Sequence, residues 1–276
     1  MSGMLTVGQT SFVTGTTKIA VPITGKTMDA ITTQAQKAIV AQPDVVEWRI
    51  DYDQDLLDRD IYQATYTKLR PFLGDTVLLT TFRTASEGGE ADLEETTYVA
   101  LYKWLIDHQL TDMLDIELHF SEAVISDLIY LAHQHNIKVI LSAHEFQGTP
   151  PELEIISLLE QIQNQNADIA KIAAMPRKFK DVLTMMRATS TESEKLDIPI
   201  IAISMGNLGR ISRITAPLFG SVLSFVTVGD ASAPGGRLRL MICVKKWHNL
   251  TLNKKETAKL CFPFNVTIIH LLNVLD

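Results

Sequence analysis

Cysteine is nearly missing from this 276-residue chain: only Cys243 and Cys261 occur, which leaves no basis for a disulfide framework or a cysteine-rich metal site. Long apolar runs are missing as well. No uninterrupted stretch approaches the roughly 20 residues needed to span a bilayer, and the N-terminal MSGMLTVGQTSFVTGTTK has no basic segment leading into an apolar one. No membrane association and a cytoplasmic location are therefore expected. Positive charge is in deficit. A net charge of −7 and a pI near 5.5 argue against nucleic acid or an anionic membrane as a partner recognised through bulk electrostatics. Local arginines could still hold a small anion. With 46% hydrophobic and 21% charged residues the chain can bury a sizeable core, and its length fits a single α/β barrel.

Eight short, largely β-branched runs alternate with longer amphipathic stretches: 18–25, 45–51, 77–83, 113–120, 138–146, 169–175, 199–205 and 221–228. Their starts are 22 to 36 residues apart, the spacing of βα units with parallel strands and helical crossovers. One crossover, TPPELEIISLLEQIQNQ, offers Thr149 as a cap and a proline in the first turn. Eight such units predict an α/β fold of the (β/α)8 TIM barrel type, with a doubly wound open sheet as the alternative. The N-terminal LTVGQTSFV reads as a β-hairpin outside the repeat, placed to cover the barrel bottom.

Strand faces favour the barrel. In VVEWRID, Glu47, Arg49 and Asp51 share one face and Val46, Trp48 and Ile50 the other. In MLDIELHF, Asp115, Glu117 and His119 oppose Leu114, Ile116, Leu118 and Phe120. Open parallel sheets are usually apolar on both faces, whereas a barrel can carry a polar inner layer near the C-terminal ends of its strands, where the active sites of such barrels lie. A solvated antiparallel sheet would also alternate, but the helical spacers speak against it.

Within this pattern the run DIAKIAAMP holds a lysine. Lys171 shares the parity of Ile169, Ala173 and Met175. Desolvation in a dry pocket favours a neutral amine, and a neutral amine can attack a carbonyl to form a Schiff base. The alternative is a lysine that ends its strand and reaches solvent. His144 lies near the end of the preceding strand, about 5 Å away across the sheet, where it could act as general base and acid on the same substrate. Arg83 in TFRTASEGGE and Arg213 in GRISRI are candidate clamps for carboxylate or hydroxyl groups. ITGKT lacks the first glycine of a phosphate-binding loop. His133 and His135 are two residues apart on an expected helix, so they make a poor metal pair. No metal is expected.

Taken together, DVVEWRID, TFRTASEGGE, the strand-end His144, DIAKIAAMP, MGNLGRISRI and FGSVLSF followed by ASAPG resemble, in order and spacing, the type I 3-dehydroquinate dehydratases over about residues 15–235. The resemblance implies a homodimeric (β/α)8 barrel of the shikimate pathway. It also implies a lyase that converts 3-dehydroquinate to 3-dehydroshikimate through a lysine Schiff base, with no cofactor. Residue by residue it assigns Lys171 to the attack on the C3 ketone, and His144 to removing a C2 proton and protonating the departing C1 hydroxyl. Glu87 would orient His144, Glu47, Arg49 and Arg83 would bind hydroxyls, and Arg213 would pair with the carboxylate. Ser232 would help to close the site. A different Schiff-base barrel, such as an aldolase, and a non-catalytic binding relative are the competing readings.

The chain departs from that pattern after ASAPG. A lid glutamine and a final amphipathic helix are expected there, and Gly236 followed by RLRLMICVKKWHNLTLNKK stands instead. Residues 235–276 carry a charge balance of +5 against −12 for residues 1–234. This divides the chain into a catalytic barrel, 1–235, and an atypical basic tail, 236–276, which is expected to weaken closure of the site.

Overall fold

The computed structural model describes residues 3–228 and the backbone of 238–239; Ser232, both cysteines and the rest of the tail lie outside the described residues. The chain opens with an antiparallel hairpin, β1 (Met4–Val7) and β2 (Thr10–Val13). Eight parallel strands follow: β3 (Lys18–Ile23), β4 (Val45–Arg49), β5 (Val77–Thr81), β6 (Met113–Glu117), β7 (Lys138–Glu145), β8 (Ile169–Ala174), β9 (Ile200–Ser204) and β10 (Leu223–Thr227). Neighbours in sequence are neighbours in space from β3 to β9, and β10 pairs with β3. A parallel bridge from Ile200 to Ser221, with Val222 N–H donating to the Ile200 carbonyl at 2.8 Å, brings the β10 end against β9 and nearly closes the barrel. The open-sheet alternative is thereby excluded. Leu238–Arg239 of the tail forms a short strand, β11, parallel to β10.

Helices α1 (Met28–Val40), α2 (Arg59–Leu73), α3 (Glu95–Asp107), α4 (Glu122–Gln134), α5 (Glu152–Asn164) and α6 (Phe179–Glu192) fill the crossovers, with the shorter α7 (Arg210–Ile214) and α8 (Ala216–Phe219) between β9 and β10. Side chains cap several of them: Thr27 accepts from Ala30 N–H, Asp58 from Asp60 and Ile61 N–H, and Ser121 from Val124 N–H. The expected cap at Thr149 does not form. Helix α5 begins after Pro151 with no side-chain cap, and its first turn carries Glu152 and Glu154, whose negative charge complements the helix dipole there. No helix among the described residues is long and apolar enough to cross a membrane.

Two apolar clusters reflect the alternating strand faces. The outer one joins Val46, Trp48, Ile50, Leu114 and Ile116 to the helices. The inner one joins Val45, Val77, Met113, Ile140 and Ile169, near the N-terminal ends of their strands, to Val7 and Phe12 of the hairpin. Phe12 is fully buried there, so the hairpin does plug the barrel bottom. That leaves polar inward-facing residues for the opposite end. The strands stop earlier than the apolar runs suggested: β4 ends at Arg49 rather than residue 51, β5 at Thr81 rather than 83, and β6 at Glu117 rather than 120. Beyond the end of β5 side chains take over from the ladder. Arg83 N–H donates to Asp51 at 3.2 Å and Thr84 N–H to Glu117 at 3.0 Å.

Candidate active site

At the C-terminal mouth the seven expected site residues that fall in the described part of the chain line a single cavity. Glu47 and Arg49 come from β4, Arg83 and Glu87 from the loop after β5, His144 from β7, Lys171 from β8 and Arg213 from α7. The eighth expected residue, Ser232, lies outside the described residues.

Arg83 is the electrostatic centre of the site. Nη1 donates to Glu87 at 3.1 Å, Glu117 at 2.8 Å and Ser142 at 3.0 Å, while Nη2 donates to Asp115 at 2.7 Å. Burial acts to lower its pKa, but Asp115, Glu117 and Glu87 together hold it well above the ordinary arginine value. A buried cation amid three carboxylates is a fixed organising charge, and the expected contact with substrate hydroxyls is a second demand on a group already engaged.

Lys171 is only 3% exposed. The amine is not alone in its pocket: Nζ donates to Asp115 Oδ2 at 2.7 Å and lies 4.8 Å from the centre of the Phe225 ring. Asp115 is held on its other oxygen by Arg83 and by Ser142 Oγ at 2.6 Å. Burial pulls the Asp115 pKa upward, yet Arg83 and Lys171 hold it well below the carboxylate range. Asp115 was not assigned a role from the sequence, although its parity with Glu117 already placed it inward; what was missing was register, since Ser142 pairs with Lys171 on β8 and with Glu117 on β6.

His144 lies two residues beyond Ser142, on the same face of β7 and opposite Ala173 of β8. Its Nδ1 pairs with Glu87 Oε2 at 2.8 Å. With an anionic partner the ring carries its proton on Nδ1, which leaves the Nε2 lone pair as the base. Burial and the nearby Arg83 charge lower its pKa to about 4 against the opposing pull of Glu87, so the ring is neutral at neutral pH. Burial works to raise the Glu87 pKa, but pairing with His119 and His144 holds it at about 2. Glu87 ends a 3-10 turn, Ala85–Glu87, closed by Gly88 in the left-handed region at φ 79°. A Cβ at Gly88 would also run into the Phe146 ring, so both backbone and space require glycine.

The remaining polar groups frame the cavity. Arg49 makes a two-pronged bond to Asp51, Nε to Oδ1 at 2.8 Å and Nη2 to Oδ2 at 2.7 Å. Glu47 Oε1 accepts from Thr81 at 3.2 Å, whereas its buried Oε2 has no partner among the described residues and is an acceptor available to a ligand hydroxyl. Arg213, itself buried, donates from Nη1 to the Ser204 carbonyl at 2.9 Å. His133 and His135 turn to different partners: His133 bonds Asp168 at 2.8 Å and His135 lies 3.8 Å from Asp107.

The family profile described as type I 3-dehydroquinase matches residues 19–238. A 3-dehydroquinate dehydratase from Lactiplantibacillus plantarum is 45% identical over 218 residues, 79% of this chain and 86% of the relative. One from Klebsiella pneumoniae is 42% identical over 236 residues, 85% of this chain and 94% of the relative. Among solved structures, a type I 3-dehydroquinate dehydratase from Clostridium difficile, described as carrying covalently modified comenic acid, superposes with a TM-score of 0.87 at 35% identity, covering 91% of this chain and 98% of that one. With the same barrel, a matching profile over most of its length and relatives above 40% identity, the chain belongs to the type I 3-dehydroquinase family.

Proposed function

We propose that this protein is a 3-dehydroquinate dehydratase, a hydro-lyase, that works through a Schiff base on Lys171. The observation that supports the covalent route best is the pairing on adjacent strands of a buried amine, Lys171, with a largely buried histidine, His144, whose Nδ1 is tied to Glu87. Lys171 gives up a proton and its amine attacks the substrate ketone; loss of water yields an iminium. The iminium draws electrons from the neighbouring carbon, so neutral His144 can take that carbon's proton through Nε2 and form an enamine. Collapse of the enamine expels the hydroxyl one carbon further on. His144 returns its proton to that oxygen, and the leaving group departs as water. Water then hydrolyses the iminium, freeing Lys171 and the unsaturated ketone. The net change is one substrate to one product and one water.

The other residues bind and orient. Glu47 Oε2 accepts a substrate hydroxyl, Arg49 and Arg83 frame the hydroxyl side, Arg213 pairs with the carboxylate, and Ser232 contributes to closure. The covalently modified ligand in the Clostridium difficile relative is in keeping with covalent chemistry in this family. The aldolase reading is not favoured, because the relatives compared by sequence are described as 3-dehydroquinate dehydratases. The assay is incubation with 3-dehydroquinate, reduction by borohydride and peptide mapping. A reduced adduct on the DIAKIAAMP peptide, with turnover lost in Lys171→Ala, is the expected result; turnover without an adduct would remove the Schiff base from the mechanism. A homodimer in the cytoplasm belongs to the same proposal, the dimer being open to sedimentation analysis.

The tail forms a separate part of the proposal. Its +5 charge balance and the absence of the expected lid glutamine after Gly235 imply weaker substrate closure. Replacing residues 236–276 by a family-like lid and helix is expected to raise turnover, and equal rates would refute the impairment.

A further inference from the structure

The two oxygens of Glu87 face different histidines. Oε2 holds His144 Nδ1 at 2.8 Å and Arg83 Nη1 at 3.1 Å. Oε1 lies 3.7 Å from Nδ1 of His119, which is also 3.5 Å from Glu117 Oε2. His119 follows the end of β6 and keeps the inward parity, because Leu118 N–H continues the ladder to the Ser142 carbonyl at 2.8 Å. Its ring packs against Phe120 at 4.2 Å, and Phe120 packs on Tyr98 at 4.3 Å. The side chain is nevertheless 40% exposed, against 11% for His144. One carboxylate therefore lies between a largely buried imidazole and one that meets solvent.

We propose that His119 is a positioning residue for the dehydration, holding the second oxygen of Glu87 so that the first stays on His144. The inference rests on reading His144 as the acid-base group. With both His144 and Arg83 on Oε2, the carboxylate could swing about its terminal bond unless Oε1 were also held, and His119 is the side chain placed to hold it. The charges facing this pair come from three other elements: Arg83 and Glu87 from the loop after β5, His144 and Glu145 from β7, and Lys171 from β8, besides Asp115 and Glu117 on β6 itself. Pairing with Glu87, opposed by partial burial and aided by Glu117, favours the charged form of His119.

A coupling follows. Charged His119 draws the Glu87 charge away from His144 and opposes a second positive charge there. Without that cation Glu87 serves His144 and Arg83 alone, and His144 binds a proton more firmly. The test is an NMR titration of the His144 imidazole in the substrate-free protein, with the parent, His119→Asn and His119→Lys compared. The parent midpoint is expected near about 4. His119→Asn is expected to raise it by about half to one pH unit, three- to tenfold in proton affinity. His119→Lys, which keeps a cation in place, is expected to leave it near the parent value. The acidic limb of kcat/KM for 3-dehydroquinate should move with it. An unmoved midpoint in His119→Asn, or the same shift in both variants, would overturn the inference. If the parent fails to turn over 3-dehydroquinate, the functional reading falls, while the imidazole titration still decides the coupling.

Discussion

At the scale of single residues, the site is governed by buried charges that hold one another in place. Asp115 is the clearest case, since its two oxygens serve Arg83 and Ser142 on one side and Lys171 on the other. Replacing it by Asn keeps the shape but leaves two buried cations short of a counter-charge, a loss typically worth about 3–5 kcal/mol. Asp115→Asn is therefore expected to lower stability in urea by about that amount. It should also cut kcat by tenfold or more through the misplaced lysine, as steady-state assay would register. Unchanged stability would mean that Arg83 finds enough compensation in Glu87 and Glu117 alone. Lys171 and His144 were legible in the sequence because strand parity and strand order are local properties. Asp115 and His119 were equally visible as inward-facing residues, but their partners were not, because a hydrogen bond across three strands depends on stagger that no single strand encodes.

At the scale of elements, each end of the barrel has its own task. Alternation along the strands divides apolar from polar, and the hairpin β1–β2 covers the apolar end with Val7 and Phe12. Large-to-small changes at such a buried aromatic cost about 3–5 kcal/mol. Phe12→Ala is expected to lower the thermal midpoint while leaving kcat within about twofold, because its packing is at the end opposite the mouth. A matching loss of kcat at temperatures where the variant is folded would show that the hairpin reaches the site. The strand positions were readable from β-branched runs and their spacing. Their ends were not, because side-chain carboxylates such as Asp51 and Glu117 replace the ladder at the mouth. The missing Thr149 cap has the same origin: a capping residue is local, but where the chain turns into α5 is set by packing of the whole βα unit.

For the whole molecule, the polar mouth makes stability depend on pH. His144 binds a proton near pH 4 when folded against 6.5 in its ordinary state, so between those values the unfolded chain holds more protons and stability falls as pH drops. Glu87, at about 2 against 4.5, acts in the same direction over its lower window. His119 has the opposite sign. Its folded value is raised, so its contribution is present below 6.5 and lost as pH climbs through the folded value. Thermal melts are expected to be highest near neutrality and lower by about 5–10 °C at pH 4; a midpoint that holds steady down to pH 4 would contradict the buried, neutral state of His144.

The sequence alone determined the repeat, the polar inner faces of β4 and β6 and, through six separated motifs, the family. These depend on period, order and spacing, which a chain carries along its length. Only the tertiary structure decided that Arg83 sits among three carboxylates, that Lys171 rests on Asp115 and that Glu87 lies between two histidines. Those facts arise when parallel strands are staggered and rolled into a barrel, which at the mouth brings residues up to 59 positions apart within hydrogen-bonding reach.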